Sequence, residues 1–274
     1  MAPLCDTLRV SRAGFYAWRQ ATDSARDARD RELLPLVRDI FWHHRRRYGA
    51  RRIALDLHAM GEPCGVERVA KLLKMQGLRA IQPKSFVPKT TDSRHSLGYN
   101  SNLLRSAPPP TRVNQVWVAD ITYIPLHGGG FAYLASIMDL FSRRVVGWEL
   151  AEHMTEPLVL EALHQAIRGR QPPPHLIHHS DRGGQYAGKE YRAVLRRAAI
   201  RQSMSRAANC YDNAFMESCF GTIKTELEMT EYDHSRHART EIAGYLAYYN
   251  VERRHSSLEY LSPAQFEAPQ SHLR

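Results

Sequence analysis

His178-His179-Ser180-Asp181-Arg182-Gly183-Gly184-Gln185-Tyr186 is the stretch on which the reading of this chain turns. Residues His175 to His179 have the length and composition of a short buried strand, which runs out at Asp181. Asp-Arg-Gly-Gly is also a good turn, so this acid taken alone could be a turn residue. Two further acids shift that balance. Asp120 lies inside the apolar run Val116-Trp117-Val118-Ala119-Asp120-Ile121-Thr122-Tyr123-Ile124, where a carboxylate is costly to bury without a partner. Glu217 follows Asn213-Ala214-Phe215-Met216, with thirty-five positions between Asp181 and itself. Three carboxylates can hold one or two hard cations through oxygen, so a divalent metal would be a suitable partner.

Working outward, a helix is expected from about Tyr211. On it positions 213, 217, 221 and 224 fall near one face, so Asn213, Glu217 and Lys224 point the same way and Gly221 leaves room between them. Met216, Phe220, Ile223 and Leu227 form the apolar stripe. Upstream, residues 116–124, 131–139 and 143–150 read as three strands with short connections, the first at Gly128-Gly129-Gly130, and should be antiparallel neighbours. A helix over 156–168, the strand before Asp181, a helix over 188–198, a strand near 200–203 and a late helix carrying Ile242, Tyr245, Leu246 and Tyr249 follow. Three antiparallel strands and then alternating helices and strands fit an α/β, ribonuclease-H-like fold, a mixed sheet flanked by helices. His178 and His179 belong to a strand and are expected to be packed or hydrogen-bonded rather than to bind metal. No Ser, Tyr or Cys arrangement suggests a covalent intermediate.

With 274 residues, 43% of them hydrophobic, the chain can bury a sizeable core in two domains. No run approaches the roughly twenty apolar residues of a membrane span, and the N-terminus carries no apolar signal core, so a cytoplasmic location is expected. Cys5, Cys64, Cys210 and Cys219 include no C-x-x-C pair; reduced thiols and no structural zinc are expected. The net charge of +10 is uneven. Residues 1–110 hold twenty Lys/Arg against ten Asp/Glu, whereas residues 111–274 are balanced. A polyanion should dock first on the earlier part.

That part divides into a segment over 1–30, a compact helical domain over 31–80 and a proline-punctuated linker over 81–112, ahead of the second domain over 113–274. In the first segment a helix from Cys5 to Gln20 brings Phe15, Tyr16 and Trp18, expected in core packing. A helix from Arg31 carries Leu33, Leu34, Val37, Ile40 and Phe41, with Pro35 in its opening turn. The basic cluster Arg45, Arg46, Arg47, Arg51 and Arg52 comes next. A helix through Ile53, Ala54, Leu57 and Met60 then turns at Gly61-Glu62-Pro63 into one with Val66, Val69, Ala70 and Leu73, ended by Gly77. The pair suggests a helix-turn-helix whose second helix presents Arg68, Lys71 and Lys74 to DNA.

Almost the whole chain, from Ser11-Arg12-Ala13-Gly14-Phe15-Tyr16-Ala17-Trp18 to Ser262-Pro263-Ala264, resembles the DDE transposases and retroviral integrases. It is most similar to the integrase-like second-frame subunit of bacterial insertion-sequence transposases of the IS-three family. The segments that carry the likeness are Trp117-Val118-Ala119-Asp120-Ile121-Thr122-Tyr123, His178-His179-Ser180-Asp181-Arg182-Gly183, Ser203-Met204-Ser205-Arg206, and Tyr211-Asp212-Asn213-Ala214 leading to Glu217. The resemblance implies an integrase catalytic core in which Asp120, Asp181 and Glu217 share Mg²⁺, or Mn²⁺ in its place, and Lys224 contacts DNA near the cut. It implies nicking by water that leaves a 3′-hydroxyl, then attack of that hydroxyl on another phosphodiester. Its implied partners are double-stranded DNA (terminal inverted repeats and target), further copies of the chain, and a first-frame product met separately or as a frameshift fusion. Such a protein works in the cytoplasm, at the nucleoid when bound. A ribonuclease-H-type nuclease would share the acids without the basic module, and a non-catalytic DNA-binding regulator would keep the basic half while tolerating loss of an acid.

Overall fold

The computed structural model describes residues 5, 7, 10–20, 24–82, 100–105, 107–205, 214–228 and 231–268. The chain divides into two compact units, Met1–Ile81 and Gln82–Arg274.

The first unit is helical: α1 (Arg12–Gln20), α2 (Ala25–His43), α3 (Ala50–Ala59) and α4 (Val66–Met75). Ser24 caps α2. Its hydroxyl accepts the Asp27 N–H at 3.2 Å, and the Asp27 carboxylate accepts the Ser24 N–H at 3.3 Å. This reciprocal cap settles two of the four N–H groups that any helix start leaves unpaired. The helix expected from Arg31 therefore begins six residues earlier, and Pro35 stands in its interior instead of its opening turn. The division expected after residue 30 falls within this helix. Leu33, Val37, Ile40 and Phe41 of α2 meet Ile53, Ala54 and Leu57 of α3 and Val69, Leu72 and Leu73 of α4 in the buried core. Gly61, at φ +80°, reverses the chain between α3 and α4, a left-handed conformation that glycine adopts without a Cβ clash. The aromatic trio of α1 departs from expectation. Trp18 is 74% and Tyr16 40% exposed, and Phe15 packs against their rings at 6.1 and 5.5 Å. Positions 15, 16 and 18 spread around a helix, so one buried side cannot take all three.

The second unit is built on one five-stranded sheet in the order β3-β2-β1-β4-β5. Strands β1 (Val116–Leu126), β2 (Gly130–Asp139) and β3 (Val145–Ala151) form the expected antiparallel meander, while β4 (Ile177–Ser180) and β5 (Arg201–Met204) add in parallel on the other side of β1. Alternation along β1 separates two cores. Val116, Val118 and Ile124 face α7 (Ala214–Glu226) and α8 (Ser235–Val251), whereas Trp117 and Ala119 face α5 (Glu156–Arg170) and α6 (Lys189–Arg197). This mixed sheet covered on both faces is a ribonuclease-H-like fold. A Cβ at Gly147 of β3 would come within 2.2 Å of the Ala162 carbonyl, so glycine there lets α5 lie close to the sheet. Part of the expected linker is ordered onto the unit: Asn100 donates to Gln202 at 2.6 Å, the Leu103 N–H to Ser203 at 2.9 Å, and Leu104 packs on the core. Residues 83–99 and 106 of that segment, and the residues before Ala214 in the expected Tyr211 helix, lie outside the described residues. The short helix α9 (Pro263–Glu267) is tied down by Arg144 and Arg170, both at 2.7 Å from Glu267.

Candidate active site

Register brings two of the acids together. β1 and β4 pair in parallel through Val116 with Ile177 to Ala119 with Ser180, and one step further along stand Asp120 and Asp181. Neighbouring strands lie about 4.7–4.9 Å apart, and side chains in register on parallel strands point to the same face. By the alternation of β1, Asp120 shares the face of Val116 and Val118, which is the face covered by α7. Glu217 lies on the exposed side of α7, whose Met216, Cys219, Phe220 and Ile223 are buried against the sheet as the stripe predicts. Lys224, two turns further on, is half-buried with its ammonium 4.3 Å over the Tyr123 ring. Asn213, expected on the same side, falls outside the described residues.

Electrostatics separates Asp120 from Asp139, the fully buried acid of the sheet. Asp139, fully buried at the end of β2, accepts N–H bonds from Asn114 at 2.6 Å and from Phe141 and Ser142 at 3.0 Å each. Its charge is satisfied by local backbone. Asp120 has one such bond, from its neighbour Ile121 at 2.8 Å. Burial pushes its carboxyl well above the ordinary range, and the charges of Asp181 and then Glu217 push the same way. The Ile121 N–H and the Lys224 charge oppose them without prevailing. Burial in turn lowers the Lys224 pKa, against the pull of Asp120. Asp181 keeps its place through the Gly183 N–H, which donates to Oδ1 at 2.9 Å, in a turn where a Cβ on Gly183 would come within 3.1 Å of that same oxygen.

The acid pair with a third acid in electrostatic range is a set of hard oxygen donors, the ligand type that could hold a divalent cation such as Mg²⁺. Among the described residues, no three His, Cys, Asp or Glu side chains are grouped as an enclosed ion site.

The two histidines before Asp181 are both fully buried. His178 Nε2 is 2.9 Å from the Tyr191 hydroxyl and His179 Nδ1 2.8 Å from the Ser203 hydroxyl. Burial lowers the His178 pKa to about 3, so that ring is neutral at physiological pH. In the first unit, Arg68 and Lys71 turn their charge on Asp30 of α2, at 2.6 and 3.0 Å, and Asp30 is only 4% exposed. These bonds, Arg68 first, lower the Asp30 pKa. Lys74, Arg45 and Arg51 are exposed, Arg46 and Arg47 are half-buried, and Arg52 lies 5.3 Å over the Tyr48 ring. Among the described residues, no helix is long and apolar enough to cross a membrane.

Fold and acid placement define the class: an integrase-type core, preceded by a helix-turn-helix-like unit. Family models agree along the chain, an HTH-like domain matching residues 28–86 and integrase core domains matching residues 110–210 and 198–263. A 31 kDa protein of insertion element IS600 from Shigella sonnei is 41% identical over 96% of this chain and 97% of its own length. The InsF transposase of insertion sequence IS3A from Escherichia coli is 40% identical over 96% of this chain and 92% of its own. The chain belongs to the IS3 family of insertion-sequence transposases. Among solved structures, a simian T-cell lymphotropic virus intasome gives a TM-score of 0.48 at 15% identity, over 87% of this chain and 76% of that one. The HTLV-2 integrase catalytic core in complex with magnesium gives 0.44 at 17% identity, over 57% and 98%.

Proposed function

We propose that Asp120, Asp181 and Glu217 are the catalytic carboxylates with which this transposase cuts and joins DNA. As a transposase of this family the chain works in DNA recombination and integration, as a polynucleotidyl transferase. The observation that supports the assignment is that Asp120 and Asp181 stand one step beyond the in-register pair Ala119–Ser180, where Asp120 has one N–H donor among the described residues and feels the like charges of Asp181 and Glu217. The three acids would hold Mg²⁺, or Mn²⁺ in its place, which when bound supplies Lewis-acid stabilisation at the phosphate oxygens. Lys224 brings a positive charge, steadied over Tyr123, to the phosphate beside the pair. Water attacks one phosphodiester and its P–O3′ bond breaks, leaving a free 3′-hydroxyl and a 5′-phosphate. That hydroxyl then attacks a second phosphodiester, forming a new P–O3′ bond as the old P–O3′ bond there breaks and frees another 3′-hydroxyl. Double-stranded DNA, as the terminal repeats of the element and as target, docks through Arg45, Arg46, Arg47, Arg51, Arg52, Arg68, Lys71 and Lys74 of the first unit. Two ends are held by more than one copy of the chain in the bacterial cytoplasm, with a first-frame product as a further partner.

The test is divalent-dependent cleavage and strand transfer on labelled oligonucleotides carrying the ends of the parent element. Wild type performs both, and Glu217→Gln, which keeps shape and removes charge, performs neither while still binding DNA. Cleavage retained by that variant would falsify the three-acid assignment.

Lys224→Ala gives a second expected result. Loss of one charge-assisted phosphate contact, worth about 1.5–3 kcal/mol, should weaken binding of the cleavable end by roughly tenfold or more. The melting curve of the protein should keep its wild-type shape. Unchanged strand transfer and unchanged end binding would return Lys224 to the role of a half-buried lysine packed on an aromatic ring.

A further inference from the structure

Ser136 lies within β2, on the sheet face that α7 covers, where Leu134 and Met138 to either side of it belong to the core. The serine is 1% exposed, and its hydroxyl is buried without a hydrogen-bond partner. A buried hydroxyl left unmade costs free energy that alanine would avoid, so packing alone does not account for a serine here. Register identifies its neighbours. Ser136 pairs with Asp120 of β1 on one side and with Trp148 of β3 on the other, and Asp120 stands in turn beside Asp181. Side chains directly opposite each other on antiparallel strands share a face, with Cβ atoms about 4.5–5.5 Å apart. Of the four neighbouring positions on that face, Leu134 and Met138 lie along the strand, and Trp148 offers only a donor. The Asp120 carboxylate is the one oxygen acceptor among them. It takes the Ile121 N–H on Oδ1 at 2.8 Å, and a carboxylate has room for about four such bonds.

We propose that Ser136 is a positioning residue for Asp120, a buried donor whose O–H turns onto the Asp120 carboxylate and fixes its orientation when the acid pair holds a divalent cation. The inference rests on the reading of the pair as metal-holding, and it places a donor on the side of Asp120 away from Asp181. A serine hydroxyl has three staggered positions about its Cα–Cβ bond, so the turn needs no movement of the strand. Outer-shell donors of this kind orient ligating carboxylates, and their loss costs about 10–100-fold in metal affinity.

The experiment measures melting temperature and calorimetric Mn²⁺ affinity, without DNA, in the full-length wild type, Ser136→Ala, Ser136→Thr, Ser136→Val and Asp181→Asn. Threonine and valine share a shape and differ by the hydroxyl, so that pair separates the O–H from packing volume. Ser136→Ala is expected to melt at or above the wild-type temperature without metal, yet to bind Mn²⁺ at least tenfold more weakly. Ser136→Thr should bind Mn²⁺ as wild type does, and Ser136→Val at least tenfold more weakly than Ser136→Thr. Asp181→Asn should lose Mn²⁺ binding. Wild-type Mn²⁺ affinity in a stably folded Ser136→Ala overturns the inference and leaves the acid pair standing. Equal affinities in Ser136→Thr and Ser136→Val also overturn it and make the serine a space-filling residue of the core. Undiminished Mn²⁺ binding by Asp181→Asn, or no wild-type response to Mn²⁺, overturns the metal reading and the inference with it.

Discussion

Asp120→Asn is expected to abolish cleavage and strand transfer while making the metal-free protein more stable at neutral pH. The two effects have one origin. Asparagine keeps the side chain's shape but gives up a charge that only one N–H and a distant lysine help to hold. Interactions of a cation with the reacting phosphate are worth several kcal/mol, and each 1.36 kcal/mol is a decade in rate. Loss of a ligand should therefore cost on the order of a thousandfold or more. The sign of the stability effect follows from linkage. Burial and the neighbouring acids raise the carboxyl pKa in the folded chain above its unfolded value of about 3.9. Below that value both states are protonated and Asp120 costs nothing through its charge. As pH rises from there, the unfolded chain releases its proton first and is favoured, so stability falls until pH passes the folded pKa. The amide does not titrate. Asp120→Asn should thus raise the metal-free melting temperature at pH 7, and the advantage should shrink to nothing as pH falls below about 4. Saturating Mg²⁺ should reverse the order of the two melting temperatures, because only the carboxylate gains from the cation. A variant with wild-type melting at every pH and retained cleavage would remove Asp120 from the site.

How much of this was legible in the sequence differs residue by residue, for physical reasons. Asp120 and Asp181 could be read because an acid in an apolar run and an acid ending a short strand are each costly or structured in a recognisable way. Their adjacency could not be read, since it depends on β4 joining β1 in parallel at Ala119 and Ser180. Asp139 sits in a similar strand and is fully buried, yet is settled by three backbone donors that no spacing reveals. The apolar stripe of α7 was plain from its 3.6-residue period, whereas the start of α2 was missed because a Ser-to-Asp capping box inside a charged stretch has no apolar marker. The bonds of Arg68 and Lys71 to Asp30, some forty residues earlier, are tertiary and invisible to local pattern.

Arg253→Ala should strongly destabilise the second unit, and it bears on how α7 is held. Glu226 closes α7, the helix that carries Glu217 and Lys224, and is 8% exposed. Arg253, 6% exposed just beyond α8, donates to both of its oxygens, with its Nε at 3.0 Å from each and a terminal nitrogen at 2.7 Å. Tyr245 of α8 adds a bond to Glu226 at 3.0 Å, and the guanidinium lies 5.7 Å over the Tyr249 ring. Burial works against the Arg253 charge, but the Glu226 bonds outweigh it and raise the guanidinium pKa. Two residues earlier than the arginine's flank, Asn250 accepts the Val145 N–H at 2.9 Å and donates to the Val145 carbonyl at 2.8 Å, so the same segment also fastens to β3. Removing Arg253 takes away the guanidinium that balances a buried carboxylate. Breaking a buried pair in this way costs about 3–5 kcal/mol, or roughly 6–20 °C in melting temperature for a unit of this size. The pair itself is a different matter. Two buried ions give up so much hydration that apolar replacements of similar volume are often as stable. The double change Glu226→Leu with Arg253→Met should therefore recover most of what Arg253→Ala loses, while Glu226→Leu alone should not, since it strands the arginine. The cycle is read by thermal and urea denaturation, and cleavage by the double variant then asks a separate question. Recovered stability with recovered activity assigns the pair to the fold alone. Recovered stability with cleavage still lost means that the ion pair sets the angle at which α7 presents Glu217 to Asp120 and Asp181. Near-wild-type stability in Arg253→Ala itself would show that the carboxylate finds water, and the anchor assigned to Arg253 would then be wrong.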